Sequence, residues 1–164
     1  MDNRFSFSLV LASALASGVV AGVFYAFSTG VMRALGALPP NQGIAAMQSV
    51  NVAVINPWFL GAFMGAAGLS VASGIYAVTH WKAAGSGWLL AGALVYLIGS
   101  FVWTVAFHIP RNDALALLDP DAPASAAAWR DYLSVWTAGN HVRTLASLAS
   151  SAFFIVALTS GRRG

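Results

Sequence analysis

The stretch WTAGNHVRT, residues 136–144, packs an amide, an imidazole and a guanidinium into four residues of a very apolar chain: Asn140, His141 and Arg143. Trp136, Asn140 and Arg143 fall at i, i+4 and i+7, so a helix puts them on one stripe, with Tyr132 one turn earlier and His141 on an adjacent stripe. A guanidinium and an amide held in a dry site stabilise negative charge developing on an oxygen. They bind a carboxylate or carbonyl just as readily. Histidine titrates near neutrality and so suits proton transfer. Trp136, Tyr132 and Trp103 offer aromatic faces for a flat ligand. Further polar side chains stand at Tyr25, Asn51, His108, Arg111 and Asn112.

The elements that must position these residues follow from composition. The chain has 164 residues, 59% hydrophobic and 8% charged, against roughly 25% charged in soluble domains. It has no glutamate and one lysine, Lys82. Such a surface cannot face water all round, so the solvent is lipid. Four apolar stretches match the roughly 20 residues that a helix needs to span a bilayer: about 5–32, 57–79, 87–109 and 141–159. Unpaired backbone groups are not tolerated in hydrocarbon, so each stretch is a helix. The first is too long, and too aromatic at its end, for a signal peptide, and is read as retained. Asn56-Pro57 is a helix start, with Asn as cap and Pro at the first position. Pro110 ends or kinks the third span after Ile109. The 33–56 connection contains NQGIAAMQSVNVAVI, a short interfacial helix. After the turn-rich DPDAPAS, AAAWRDYLSVW is a helical extension running into the fourth span. The expected fold is all-α: a single-domain integral membrane four-helix bundle over residues 1–164.

In an up-down bundle the end of span one, the start of span two, the end of span three and the start of span four meet at one membrane face. That face collects Tyr25, Thr29 and Arg33, then Gln48, Asn51 and Asn56, then His108, Arg111 and Asn112, and finally Tyr132 to Arg143. Ionisable groups at membrane depth are costly and by default mark a functional site, whereas arginines near helix ends also snorkel to the interface. Snorkelling is the simpler reading of Arg33 and Arg130; a pocket is the simpler reading of Asn140 and Arg143 beside Trp136. His108 has a structural alternative, pairing with a carbonyl freed by Pro110, and His141 another, pairing with Asp113. Small residues at spacing four, Gly18 and Gly22, Gly61 and Gly65, Ser147 and Ser151, suggest close packing within the bundle.

Four pieces of the chain, GVFYAFSTGVMRAL (22–35), IAAMQSVNVAVINPWFL (44–60), HIPRNDALALLDP (108–120) and WRDYLSVWTAGNHVRTLAS (129–147), resemble in order and spacing the anthrone oxygenase-like family of small membrane proteins. The Trp-x-x-x-Asn-x-x-Arg element, here Trp136, Asn140 and Arg143, is the most distinctive. Arg33 departs from the family pattern, where proline commonly follows Val-Met, and Arg111 stands where an apolar residue is commoner. The resemblance implies a four-helix membrane bundle and oxidation of a tricyclic anthrone to an anthraquinone by molecular oxygen, without a classical redox cofactor. On that chemistry His108 or His141 is the base, Arg143 and Asn140 hold the oxyanion, and Trp136, Tyr132, Trp103, Asn51, Asn112, Arg111 and Tyr25 line the substrate pocket. Fold kinship carries architecture further than chemistry, so a second class stays open: a non-enzymatic protein that binds or transports a quinone, lipid or other hydrophobic small molecule.

Other classes fare worse. A metal site is not expected: cysteine is absent, and there is no His-x-x-x-His or Glu-x-x-His, so haem and copper lack their usual ligand spacing. No Gly-x-Ser-x-Gly marks a serine hydrolase. The charges form no basic run, which argues against nucleic acid. A channel is disfavoured because the spans show no polar stripe through the midplane. Homo-oligomerisation stays open. Basic residues divide equally: Arg4, Lys82, Arg162 and Arg163 on the terminal side, Arg33, Arg111, Arg130 and Arg143 on the other. With every aspartate but Asp2 beside the second set, the expectation is a bacterial inner-membrane protein with both termini cytoplasmic.

Overall fold

A computed structural model describes residues 4–160; Asp2, Arg162 and Arg163 of the charge comparison lie outside them. Five helices, with no strand among the described residues, account for the fold: α1 Arg4–Gly36, α2 Pro40–Ala53, α3 Pro57–Thr79, α4 Ser86–Ala116 and α5 Ser125–Ser160. All but α2 are long and apolar enough to cross a membrane. The ring order is α1, α3, α4, α5 and back to α1, each helix packing on its sequence neighbours as an up-down bundle must.

The helices start where local chemistry says they should. Asn56 Oδ1 accepts from the backbone N–H of Trp58 and Phe59, both at 3.0 Å, so the Asn-Pro cap of α3 is as expected. Gly85, with φ at +90°, opens α4 in the left-handed region, and a Cβ there would also meet Ala157 O at 2.7 Å. The expected extension before the fourth span is continuous with it, because nothing between Ser125 and Ser160 breaks the ladder.

Pro110 neither ends nor breaks the third span. The helix widens into π turns over Leu97–Val102 and Thr104–His108, then continues as α-helix from Ile109 to Ala116. The Ile109 N–H reaches back five residues to Thr104 O. A wider turn just before the proline relieves the ring's clash with the carbonyl four residues back. A third π segment, Phe27–Val31, interrupts α1, with the Met32 N–H bonded to Phe27 O.

Lengths divide the molecule in two. Counting the ~20 residues that cross a ~30 Å hydrocarbon core from the terminal ends reaches about residue 24 in α1, 105 in α4 and 141 in α5. Beyond that level, the end of α1, all of α2, the end of α4 and the first half of α5 form a cap. The cap has its own apolar core, with Ile44, Met47, Leu115 and Trp129 fully buried and Met32, Leu35, Tyr132 and Trp136 around them. Within the bundle, Phe24, Phe63 and Tyr96 centre one cluster, and Val10, Leu89 and Phe154 another nearer the termini.

Two packing expectations are corrected. Gly22, Gly61 and Gly65 meet nothing within 4 Å, so only Gly18, near Ser151, and the two serines serve packing within the bundle. The close approaches fall instead at Gly92 against Phe154, Gly99 against Ala146 and Gly139 against Phe107. The spans also carry a polar seam, made of serine. Ser13 pairs with Ser73 at 2.9 Å, Ser147 donates to Ser100 at 3.0 Å and Ser150 to Gly92 O at 2.8 Å. These hydroxyls tie helices together, as small polar groups do in lipid, and they are buried rather than lining a lumen.

Candidate functional site

Where bundle meets cap, three of the four span ends expected to converge, those of α1, α4 and α5, do so around Arg143. The residue is 6% exposed, with Asn140 at 0% and His108 at 1%, so the centre is closed to solvent and lipid. Asn140 Oδ1 accepts from Arg143 Nε at 3.0 Å and Nη2 at 2.6 Å, one turn along α5. Its Nδ2 donates across the bundle to Phe24 O and Ser28 Oγ, each at 2.7 Å. Both donors and the acceptor of Asn140 are therefore engaged. In this geometry the side chain orients the guanidinium, and neither of its N–H donors is free.

Arg143 Nη1 donates to Thr104 Oγ1 at 3.4 Å. Three of the five guanidinium N–H donors thus have partners, leaving two. The flat cation lies over the faces of Phe24, at 4.2 Å, and Trp136, at 5.1 Å, an arrangement that favours a desolvated cation. Among the described residues no carboxylate balances it; the Tyr132 phenol is the one acidic group that acts on it.

His108 packs edge-on against Trp136, with ring centroids 4.9 Å apart. Neither ring nitrogen has a hydrogen-bond partner. The expected pairing with a carbonyl freed by Pro110 is not made; the backbone group beside the imidazole is the Gly139 carbonyl of α5, which accepts from Trp103 Nε1 at 3.1 Å. Both Arg143 and Arg111 lie within electrostatic range of this imidazole. Arg111 sits over the Phe107 ring at 3.6 Å and donates from Nη1 to Phe107 O at 2.8 Å.

A second polar layer lies on the cap side. Asn112 Oδ1 accepts from the Tyr132 hydroxyl and from Trp136 Nε1, both at 2.9 Å. Asn51 stands beside the Tyr132 hydroxyl with its Nδ2 buried and unpartnered. His108, Arg143, Asn140, Trp136, Tyr132, Asn112, Asn51, Trp103 and Arg111 are thus gathered at one end of the bundle.

Two expected members are not. Tyr25 is 58% exposed on the outer face of α1, and Thr29 and Arg33 of the same stripe are exposed with it. His141 is exposed too: one residue from Asn140 is about 100° around an α-helix, which turns it away from Arg143 and into a lateral groove between α1 and α5. Neither it nor Asp113 pairs with the other. Sequence reasoning missed Phe24, Ser28 and Thr104. Ser28 and Thr104, each on a π segment, were visible only as hydroxyls inside apolar spans. Among the described residues no three His, Asp or Glu side chains gather as metal ligands would.

The arrangement has one chemical bias. A buried, unbalanced guanidinium with two free N–H groups attracts an anion or an oxygen acquiring negative charge, and an imidazole without a hydrogen-bond partner packs on the same Trp136 ring. The family model described as anthrone oxygenase matches residues 56–153, which hold His108, Asn112, Tyr132, Trp136, Asn140 and Arg143. No curated protein and no solved structure matches the chain. With more than half its length matched, this integral membrane protein belongs to the anthrone oxygenase family.

Proposed function

We propose that the protein oxidises a hydrophobic anthrone-type aromatic with molecular oxygen at the Arg143–His108 centre. The supporting observation is the buried Arg143 guanidinium, with two free donors and no carboxylate, beside a histidine whose nitrogens are both unpartnered. His108 removes one methylene proton. Arg143 takes the charge that appears on the ketone oxygen as the anthrone becomes its enolate, and the enolate carbon then reacts with oxygen. The hydroperoxide so formed loses water: one anthrone and one O₂ give one anthraquinone and one H₂O. Oxygen is the only co-substrate this requires. Trp136, Tyr132 and Trp103 pack against the rings. Substrate and oxygen both partition into the bilayer, and the membrane in this reading is a bacterial inner membrane.

Entry requires the closed centre to open. Ser28, Thr104 and His108 all sit on π turns, which are rare overall and frequent at functional sites. These segments are where the wall of the site gives way.

Oxygen uptake by detergent-purified protein supplied with an anthrone tests the proposal, with Arg143→Ala as control for spontaneous oxidation. Wild type should consume oxygen well above background. The variant should lose about 10²–10³-fold of the catalysed rate, the usual cost of removing an oxyanion donor. Equal uptake in both proteins would leave a closed polar site without this chemistry and bring forward the second reading, binding or transport of a hydrophobic ligand.

A further inference from the structure

Outside the Arg143 centre, a groove of about 530 Å³ lies between the end of α1 and the first half of α5. Arg33 and Arg130 stand on its walls with His141 at the far end, and Ser134, Thr137 and Leu133 lie between. Among the described residues no carboxylate lines it, and no side-chain hydrogen bond or ion pair engages Arg33, Arg130 or His141. Asp131 is exposed next to Arg130 in sequence but is not part of the lining.

Position along the helix identifies what reaches this groove. His141 is at about the level where the hydrocarbon ends, counted as ~20 residues from Ser160. Arg130 lies eleven residues further out, about 16 Å along the axis. The groove therefore runs outward from the edge of the hydrocarbon across the headgroup layer, with Arg130 at its outer end and His141 at its inner end. Long arginine side chains at that height reach phosphate oxygens readily.

We infer that this groove binds an anionic phospholipid, its phosphate held by Arg33 and Arg130 with Ser134 and Thr137 as hydroxyl partners, and its chain leaving inward past Ala138. The occupant is a lipid rather than a free anion because the inner end of the groove, at Ala138 and His141, lies at the edge of the hydrocarbon by the same count. Charge complementarity selects an acidic headgroup over a zwitterionic one, whose own ammonium would face the two guanidinium groups. The lipid lies against Ser28, whose hydroxyl on its other side accepts from Asn140, so it fills the flank next to the catalytic centre without entering it.

Native mass spectrometry of the protein from micelles holding equal amounts of phosphatidylglycerol and phosphatidylcholine tests this without any oxygenase substrate. Two arginines, each contributing roughly fivefold toward an anionic headgroup, predict a preference of about tenfold or more for phosphatidylglycerol. Arg33→Gln with Arg130→Gln should bring the ratio near one, while Arg33→Lys with Arg130→Lys should keep most of the preference. Should the glutamine pair fail to fold, Arg130→Gln alone, on the protruding half of α5, must still lower it severalfold. An unchanged ratio in the glutamine variants would overturn the inference. So would an equal loss from His80→Gln with Lys82→Gln at the opposite end of the bundle, which would mark a general charge effect. Displacement of the lipid by millimolar inorganic phosphate would overturn it as well, in favour of a free-anion site.

Discussion

His108 makes no hydrogen bond, yet it is almost fully buried, and its neighbours are aromatic: Trp136 at 4.9 Å and Phe107 at 5.2 Å between ring centroids. A ring that contributes packing but no hydrogen bond is replaceable for folding and not for proton transfer. His108→Phe should leave thermal unfolding in detergent unchanged or raised, and should lower oxygen uptake with an anthrone by about 10²–10⁴-fold, the usual contribution of a general base. An equally active His108→Phe protein would remove the base assignment. Arg143 is the converse case. Lysine keeps the charge but not the fork that meets Asn140 Oδ1 twice and Thr104 once, so Arg143→Lys should lose most of the activity of wild type while still folding. The Trp136-Asn140-Arg143 stripe was legible because α5 is regular there, and spacing alone puts the three side chains together. Phe24 was not, since its part in the site is a backbone carbonyl and a ring face, which no residue type announces. Asn140 was legible as a member but not in its role, because the helix that receives its two donors is 112 and 116 residues away in sequence.

Helix existence was readable from hydropathy, and α3 was readable to the residue because Asn56 and Pro57 carry a cap signal of known geometry. The π segments were not readable. They arise where an apolar helix must satisfy a tertiary demand, as at Thr104–His108 ahead of Pro110, and hydropathy is blind to one extra residue in a turn. Gly22, Gly61 and Gly65 failed as packing sites for a related reason: spacing shows that a groove exists on a helix but not whether another helix fills it. Two glycine substitutions turn this into a measurement. A Cβ at Gly139 collides with Phe107, which is pinned between the Trp103 ring at 4.6 Å and the Arg111 guanidinium at 3.6 Å. Gly139→Ala should therefore cost about 1–3 kcal/mol, as overpacking does, visible as a lowered unfolding temperature in detergent. Gly65 meets nothing within 4 Å and faces outward. Gly65→Ala should be neutral or stabilising by up to about 1 kcal/mol, from helix propensity alone. A large loss there would instead reveal a second copy packed on that face of α3.

The whole molecule is a four-helix span with a helical cap on one end, and the cap decides how its charges should be counted across the membrane. Of the four basic residues on the cap side, Arg143 is buried in the site and Arg111 is stacked on Phe107, so Arg33 and Arg130 are the pair left to face the membrane surface. On the other side Arg4 and Lys82 are both exposed, with Arg162 and Arg163 following the last described residue. Counted this way, the positive-inside rule predicts both termini in the cytoplasm and the cap outside it. The absence of cysteine makes the test direct, since any introduced thiol is the only one. Ala124 in the cap and Ala84 in the α3–α4 connection are both exposed and uncharged, so a cysteine at either should disturb neither folding nor the charge balance. In intact bacterial cells a membrane-impermeant maleimide should label Ala124→Cys, and should reach Ala84→Cys only after the membrane is opened. The reverse pattern would put the cap in the cytoplasm. The two structurally engaged arginines would then count toward insertion after all, as they must if the chain is threaded before the site around Arg143 has folded.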